Sequence, residues 1–162
     1  ASDVYKRQGI NLKALKLLYP NISAYAIEIN ADAVRELAKM IPTSHVHHTS
    51  ILDFQPYQTW DLVLTKGVLI HIAPERLTDV YNLLYSSSHR YICIAEYYNP
   101  TPVELLYRGY TGKLFKRDFA GEMLDHFNDL KLVDYGFVYH RDQFPQDDIN
   151  WFLLEKGGEK NA

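Results

Sequence analysis

The side chains of this sequence that could carry chemistry fall into three groups. His71 lies in residues 60–74, "WDLVLTKGVLIHIAP", where apolar neighbours can tune an imidazole for general-base work near neutral pH. Glu96 closes the apolar run "RYICIAE" and is a second candidate base. A base is needed wherever the nucleophile is as weak as a hydroxyl. Tyr97, Tyr98, Asn99, Tyr107 and Arg108 offer stacking faces and hydrogen-bond donors suited to a sugar or an anionic acceptor. The bland alternatives are a packed loop histidine and a tyrosine-rich structural cover.

A further set is suited to a nucleotide-type cofactor. Gly9 and Asn11, in "GIN", open a helix whose free N–H groups favour a carboxylate or phosphate. Glu28 ends "AYAIE" about 20 residues later, the place of an acid that accepts from ribose hydroxyls. In "HHTSILDF", Ser50 and the Ile51 backbone follow a strand and can meet an adenine edge, while Asp53 caps or closes a turn. Lys66 and Gly67 end a strand at the ligand edge. His45, His47 and His48 lack a matching second ligand cluster, so no metal is expected. "GYTGK" is not a phosphate-binding loop: its glycines are too close and Leu114 replaces Ser/Thr.

The elements that must position these groups alternate. Leu12, Ala14, Leu15 and Leu18 give a helix ending before Pro20, and "SAYAIEI" is a strand. Asn30 caps a helix carrying Val34, Leu37, Ala38 and Ile41 up to Pro42. The strands "SHVHHTS" and "WDLVLT" follow, then a helix with Pro74 in its first turn and Leu77, Val80, Tyr81 and Leu84 on one face. "RYICIAEYY" is a strand covered on both faces. Residues 96–124, "EYYNPTPVELLYRGYTGKLFKRDFAGEML", read as a binding loop or lid. A helix over residues 119–127 precedes two strands joined only by a loop, which must pair antiparallel. The fold class is therefore α/β, a Rossmann-like, mostly parallel sheet with an antiparallel C-terminal hairpin.

Composition narrows the partners. With 162 residues, 47% hydrophobic and 23% charged, the chain can bury roughly 70% of its unfolded surface in one core. A net charge of −3, with one short basic cluster at residues 113–117, argues against nucleic acid. No run approaches a membrane span, "ASDVYKRQ" is no signal peptide, and the single Cys93 fits a reducing compartment, so a cytoplasmic protein is expected.

Taken together, the glycine turn, the acid-ended strand, "SILDF", "WDLVLTKGVLIHI" and the terminal hairpin resemble class I S-adenosylmethionine-dependent methyltransferases. More narrowly, "LTKGVLIHI", "EYYNPTPVE", "YRG", "LFKRDFAGEML", "DYGFVYHRD" and "FPQDDINWFLLEK" resemble the pseudaminic acid biosynthesis-associated methylases. The resemblance implies a sheet in the order 3-2-1-4-5-7-6 with strand 7 antiparallel. It also implies S-adenosylmethionine as cofactor and methylation of a hydroxyl on a nonulosonic acid or related sugar, free or nucleotide-linked. Gly9, Asn11, Glu28, Ser50, Ile51, Lys66 and Gly67 match its cofactor positions.

The opening departs from that pattern. An apolar first strand should precede Gly9, so residues 1–8 are read as a non-native leader, with the first strand missing or replaced by Asp3 to Lys6. Residues 9–157 are then the methyltransferase domain, truncated at its N-terminus, and 158–162 a tail. Two rivals remain. A short-chain dehydrogenase needs Tyr-x-x-x-Lys, which none of the thirteen tyrosines supplies. An inactive fragment or sugar-binding module would keep the acceptor loops and hold no cofactor.

Overall fold

The computed structural model describes residues 9–145 and 147–157. The leader expected at residues 1–8, its substitute strand and the tail lie outside them. The chain forms two compact units, one ending at Gln55 and one beginning at Pro56.

The first unit contains helix α1 (Ile10–Leu18), strand β1 (Ala26–Glu28), helix α2 (Ala31–Leu37), a 3₁₀ turn (Thr43–His45) and strand β2 (Val46–His48). β1 and β2 pair in parallel, with Glu28 opposite His48. Asn30 starts α2 as its sequence predicts, its side-chain oxygen accepting from the N–H groups of Asp32 and Ala33 at 2.9 and 3.1 Å. Asp32 adds a favourable charge to the first turn and pairs with Arg35. Ala33, Leu37 and Ile41 are buried. α1 forms where expected and ends before Pro20, but it buries none of its residues, and Ala14 and Leu18 are exposed. One expectation needs correction. His45 sits in the 3₁₀ turn that follows Pro42 rather than in a strand, so strand alternation does not govern it.

In the second unit a four-stranded sheet runs in the order β3-β4-β8-β7. Its strands are β3 (Trp60–Lys66), β4 (Ser88–Glu96), β7 (Leu130–Val138) and β8 (Ile149–Lys156). β3 and β4 are parallel and joined by α3 (Leu77–Ser87). β8 is antiparallel to β4 on one side and to β7 on the other, and β7 follows α4 (Phe119–His126). The terminal hairpin is thus antiparallel, as a loop connection demands. Within this sheet β3, β4 and β7 run in the same direction and β8 runs against them, since β8 is antiparallel to both β4 and β7. β1 and β2 are parallel in the first unit, and an antiparallel hairpin forms where the sequence predicts a loop.

That hairpin consists of β5 (Val103–Tyr107) and β6 (Tyr110–Lys116). Its turn residues Arg108 and Gly109 both have positive φ, 52° and 84°, the requirement of a type I′ turn. A bulge follows: between the pairs Leu105–Leu114 and Tyr107–Tyr110, β6 advances four residues while β5 advances two. Gly112, φ 68°, takes up the excess, and its N–H donates to Glu104 Oε1. Residues 97–117 are therefore largely a braced ribbon rather than a loop.

The core of this unit lies where α3 and α4 cover one face of the sheet. Leu77, Val80, Tyr81 and Leu84 from α3, and Phe119, Ala120 and Met123 from α4, are buried. They join Ile92, Ile94 and Leu154, where Ile92 is paired with Leu154 across β4 and β8. Tyr81 donates to Glu122 Oε2 at 2.7 Å, and Arg117 Nε holds Glu122 Oε1 at 2.7 Å, fastening α3, α4 and the end of the β5–β6 ribbon together. Burial and the Glu122 carboxylate raise the Tyr81 phenol well above its ordinary range, so it remains a donor. No helix among the described residues is long and apolar enough to cross a membrane.

Candidate functional site

The chemistry-bearing corner of the second unit is built at the ends of the parallel strands β3 and β4. β3 stops at Gly67, whose positive φ of 63° turns the chain while its N–H still reaches Ala95 O on β4 at 3.1 Å. Lys66, half-buried, is paired with Ala95 in the register. A 3₁₀ turn (Leu69–His71) follows, and no side chain of its own caps it. Glu96 fills that role from the end of β4. Its Oε1 accepts from Val68 N at 2.9 Å and Leu69 N at 3.1 Å, and its Oε2 from Ile70 N at 3.4 Å. Only 3% of Glu96 is exposed. That burial pushes its carboxyl up to about 7, against the downward pull of the three N–H donors. Thr65 pulls downward too, acting as a polar neighbour rather than a donor, since its buried hydroxyl reaches no hydrogen-bond geometry with any partner.

The same turn carries His71. Its Nδ1 lies 2.8 Å from the carbonyl oxygen of Lys113 on β6. A carbonyl only accepts, so Nδ1 carries the proton and the neutral ring is left with a basic lone pair on Nε2. The ring packs against Tyr107 at 5.3 Å between centroids. His71, Tyr107, Arg108, Tyr110 and Lys113 line an open cleft of about 290 Å³. The Arg108 guanidinium lies over the Tyr107 ring at 5.2 Å. Two cations, two tyrosine faces and a tautomer-fixed histidine can together hold an anionic, hydroxylated ligand and accept a proton from it.

The structure thus brings together three of the sequence candidates, His71, Tyr107 and Arg108. The others on this segment are engaged elsewhere. Tyr97 is half-buried with Lys116 Nζ over its ring at 5.1 Å. Tyr98 packs toward Phe152. Asn99 closes its own turn, donating from Nδ2 to Thr101 O at 2.5 Å. Tyr110 and Lys113 are members of the cleft that the sequence alone does not single out. Their signal is the Arg-Gly turn, which folds residues 110–113 back beside Tyr107. Burial pushes the Cys93 thiol up, away from the thiolate.

In the first unit, Glu28 stands at the C-terminal end of β1 with Oε1 accepting from Asn30 N at 2.8 Å, which fixes its carboxylate beside the start of α2. Thr49 N reaches Glu28 O at 3.2 Å, so the turn after β2 lies at the same edge. There Ser50 Oγ accepts from Leu52 N at 3.1 Å and Ser50 O from Asp53 N at 3.1 Å, giving Ile51 a closed turn and Asp53 the turn role expected of it. Gly9 lies against the C-terminal end of α2. A Cβ on Gly9 would meet the side chains of Met40 and Leu37, and Lys16 Nζ donates to Met40 O at 2.8 Å. α1 therefore begins at the far end of α2 from Asn30. The missing Cβ at Gly9 serves packing against Met40 there. His45 Nδ1 and His48 Nε2 bond the backbone carbonyls of Ala24 and Ile29, at 3.1 Å each.

No protein-family model matches the chain, and no curated protein matches it. Solved structures do. The chain is similar to an S-adenosylmethionine-dependent methyltransferase of Methanosarcina mazei at 10% identity and TM-score 0.63, over 88% of this chain and 86% of that one. A methyltransferase of the same dependence from Archaeoglobus fulgidus gives 17% identity and TM-score 0.64, over 92% and 82%. An O-methyltransferase from a multienzyme of Brevibacillus brevis, in complex with S-adenosyl-L-homocysteine, gives 12% and TM-score 0.68, over 92% and 63%. These likenesses show the fold, which is the methyltransferase-like α/β fold.

Proposed function

We propose that the chain is an S-adenosylmethionine-dependent methyltransferase that transfers a methyl group to a hydroxyl of an anionic sugar, of the nonulosonic acid class or a related sugar, free or nucleotide-linked. The observation that carries the acceptor half is the bond from His71 Nδ1 to Lys113 O, which leaves Nε2 as the basic atom of a cleft that also holds Arg108 and Lys113. The cofactor half rests on the methyltransferase-like fold and on Glu28, whose carboxylate is already oriented by Asn30 N–H at the strand end where a ribose acid belongs.

When bound, S-adenosylmethionine supplies an electrophilic methyl group on a positively charged sulfur. Glu28 would accept from the ribose hydroxyls. In the same unit, the closed turn at Ser50 and Ile51 would meet the adenine edge; for Gly67 and Lys66, in the second unit, a methionine contact rests on the resemblance alone. Gly9 packs against Met40, and a cofactor role for Gly9 and Asn11 rests on the resemblance alone. Arg108 and Lys113 hold the acceptor's acid group, and Tyr107 stacks on its ring. His71 Nε2 would take the proton of the acceptor hydroxyl, and the Lys113 carbonyl would stabilise the imidazolium that results. Alignment within the cleft provides much of the acceleration.

The experiment is a calorimetric titration of S-adenosylhomocysteine into the chain, beside Glu28→Ala. Binding that the variant weakens roughly tenfold supports the reading, since losing hydrogen bonds to a charged group costs about 1.5–3 kcal/mol. Absence of binding overturns it in favour of a second reading, a sugar-binding module without cofactor. The packing of Gly9 against Met40 and Leu37, where a ligand-facing glycine is expected, favours that alternative.

A further inference from the structure

We infer that Glu96 is a positioning residue: its buried carboxylate holds the turn that presents His71 to the cleft, and it does not itself take a proton from the acceptor. The inference rests on the reading of His71 given above and concerns the same site.

Glu96 has no route to a substrate. It is 3% exposed, and its two oxygens are directed at three consecutive backbone N–H groups, those of Val68, Leu69 and Ile70. Those residues are the support on which His71 stands. His71 N donates to Val68 O and Ile72 N to Leu69 O, both at 3.0 Å, so the segment moves as one piece. The imidazole is then pinned twice, through its backbone by the Glu96-capped turn and through Nδ1 by Lys113 O on the β5–β6 ribbon.

The choice of a carboxylate follows from the donors. Only an ionised acid presents acceptors on both oxygens, whereas an amide turns one of them into an NH₂ that opposes an incoming N–H. Keeping that ion buried costs stability, which is the usual signature of a group retained for a site rather than for the fold. The side chains around it are neutral. β3 offers Thr65, the register partner on β8 is Asn150, and Phe137 lies beyond it on β7. The titratable group of the turn is His71 itself.

The test compares wild type, Glu96→Gln and Glu96→Asp by four readouts. These are backbone amide exchange over residues 68–71, the rate at which diethyl pyrocarbonate modifies His71 as resolved by peptide mass spectrometry, the melting temperature at pH 8, and titration with S-adenosylhomocysteine. Glu96→Gln should melt at or above wild type while the Ile70 amide, the one bonded to the second oxygen, exchanges roughly tenfold faster, the equivalent of one hydrogen bond. The His71 modification rate should change with it, and Glu96→Asp, which keeps the charge, should recover part of both. Unchanged exchange and unchanged His71 reactivity in Glu96→Gln would overturn the inference. So would a variant that melts lower and loses protection throughout the sheet, because that is a structural role. Failure of the methyltransferase reading appears separately, as wild type that binds no S-adenosylhomocysteine while the amide and His71 results stand.

Discussion

Two glutamates end two parallel strands in this molecule, and the fold uses them in opposite ways. Glu28 closes β1, is half-buried, and gives one oxygen to a single N–H, that of Asn30. Glu96 closes β4, is almost wholly buried, and receives three N–H groups from the turn opposite. The first arrangement orients a carboxylate and leaves it where a ligand can meet it. The second spends the carboxylate on the protein's own backbone. The same residue type at the same point of the same kind of strand thus keeps its carboxylate open in one unit and spends it on the backbone in the other, and burial decides which.

The comparison breaks most sharply if both acids are truncated. Glu96→Ala would leave three N–H groups without an acceptor and a void the size of the side chain. Each unpaired buried donor costs about 1–3 kcal/mol. Glu96→Ala should therefore melt well below Glu96→Gln, by the equivalent of several kcal/mol in a denaturant titration. Glu28→Ala should lose less than about 1 kcal/mol, its effect falling on cofactor affinity. Comparable losses in the two variants would remove the distinction.

A second effect is the pH dependence of stability. The folded protein holds the Glu96 proton more tightly than the unfolded chain, since burial raises the carboxyl to about 7. Its contribution is therefore fully present below the ordinary glutamate range and is lost as pH rises toward about 7, amounting to about 3 kcal/mol. Glu155 and Asp148 have the opposite sign. Arg90 and His140 hold their carboxyls low, so what they contribute is lost in acid. Subtracting the Glu96→Gln profile from that of wild type isolates the buried acid. A difference curve that is flat between pH 5 and 8 would show that Glu96 is not perturbed.

How much of this is legible in the sequence depends on whether the signal is local. Asn30 announces its cap, Gly67 its turn, and the apolar run of β4 its burial, because each is written within a few residues of where it acts. The fastening role of Glu96 is not legible. A strand-end acid reads alike whether water or a distant turn receives it, and Val68 to Ile70 lie 26 to 28 residues earlier. The β5–β6 ribbon is partly written in "YRGY", an Arg-Gly pair between two aromatic residues, but the prolines and polar residues of the segment obscure it. Lys113 stands out in the sequence only as part of a basic cluster. Its carbonyl, which fixes the His71 tautomer, is a backbone group that no residue type reveals. Gly9 reads as a ligand-facing turn, whereas the structure sets it against Met40.

The smallest effect sharpens the contrast at the Glu28 corner. Asn30 does two things there: its side chain caps α2 and its N–H orients Glu28. Asn30→Ala removes the cap and keeps the N–H, so it should lower stability by about 1 kcal/mol while leaving S-adenosylhomocysteine affinity within about twofold of wild type. Asn30→Pro is the complement, since it abolishes the N–H together with the cap. If orientation by Asn30 N–H matters to the grip of Glu28, affinity should fall in the proline variant beyond what its loss of stability explains. Equal affinity in the two variants would mean that Glu28 binds without being held. The two glutamates would then differ only in burial, with preorganisation confined to the Glu96 corner.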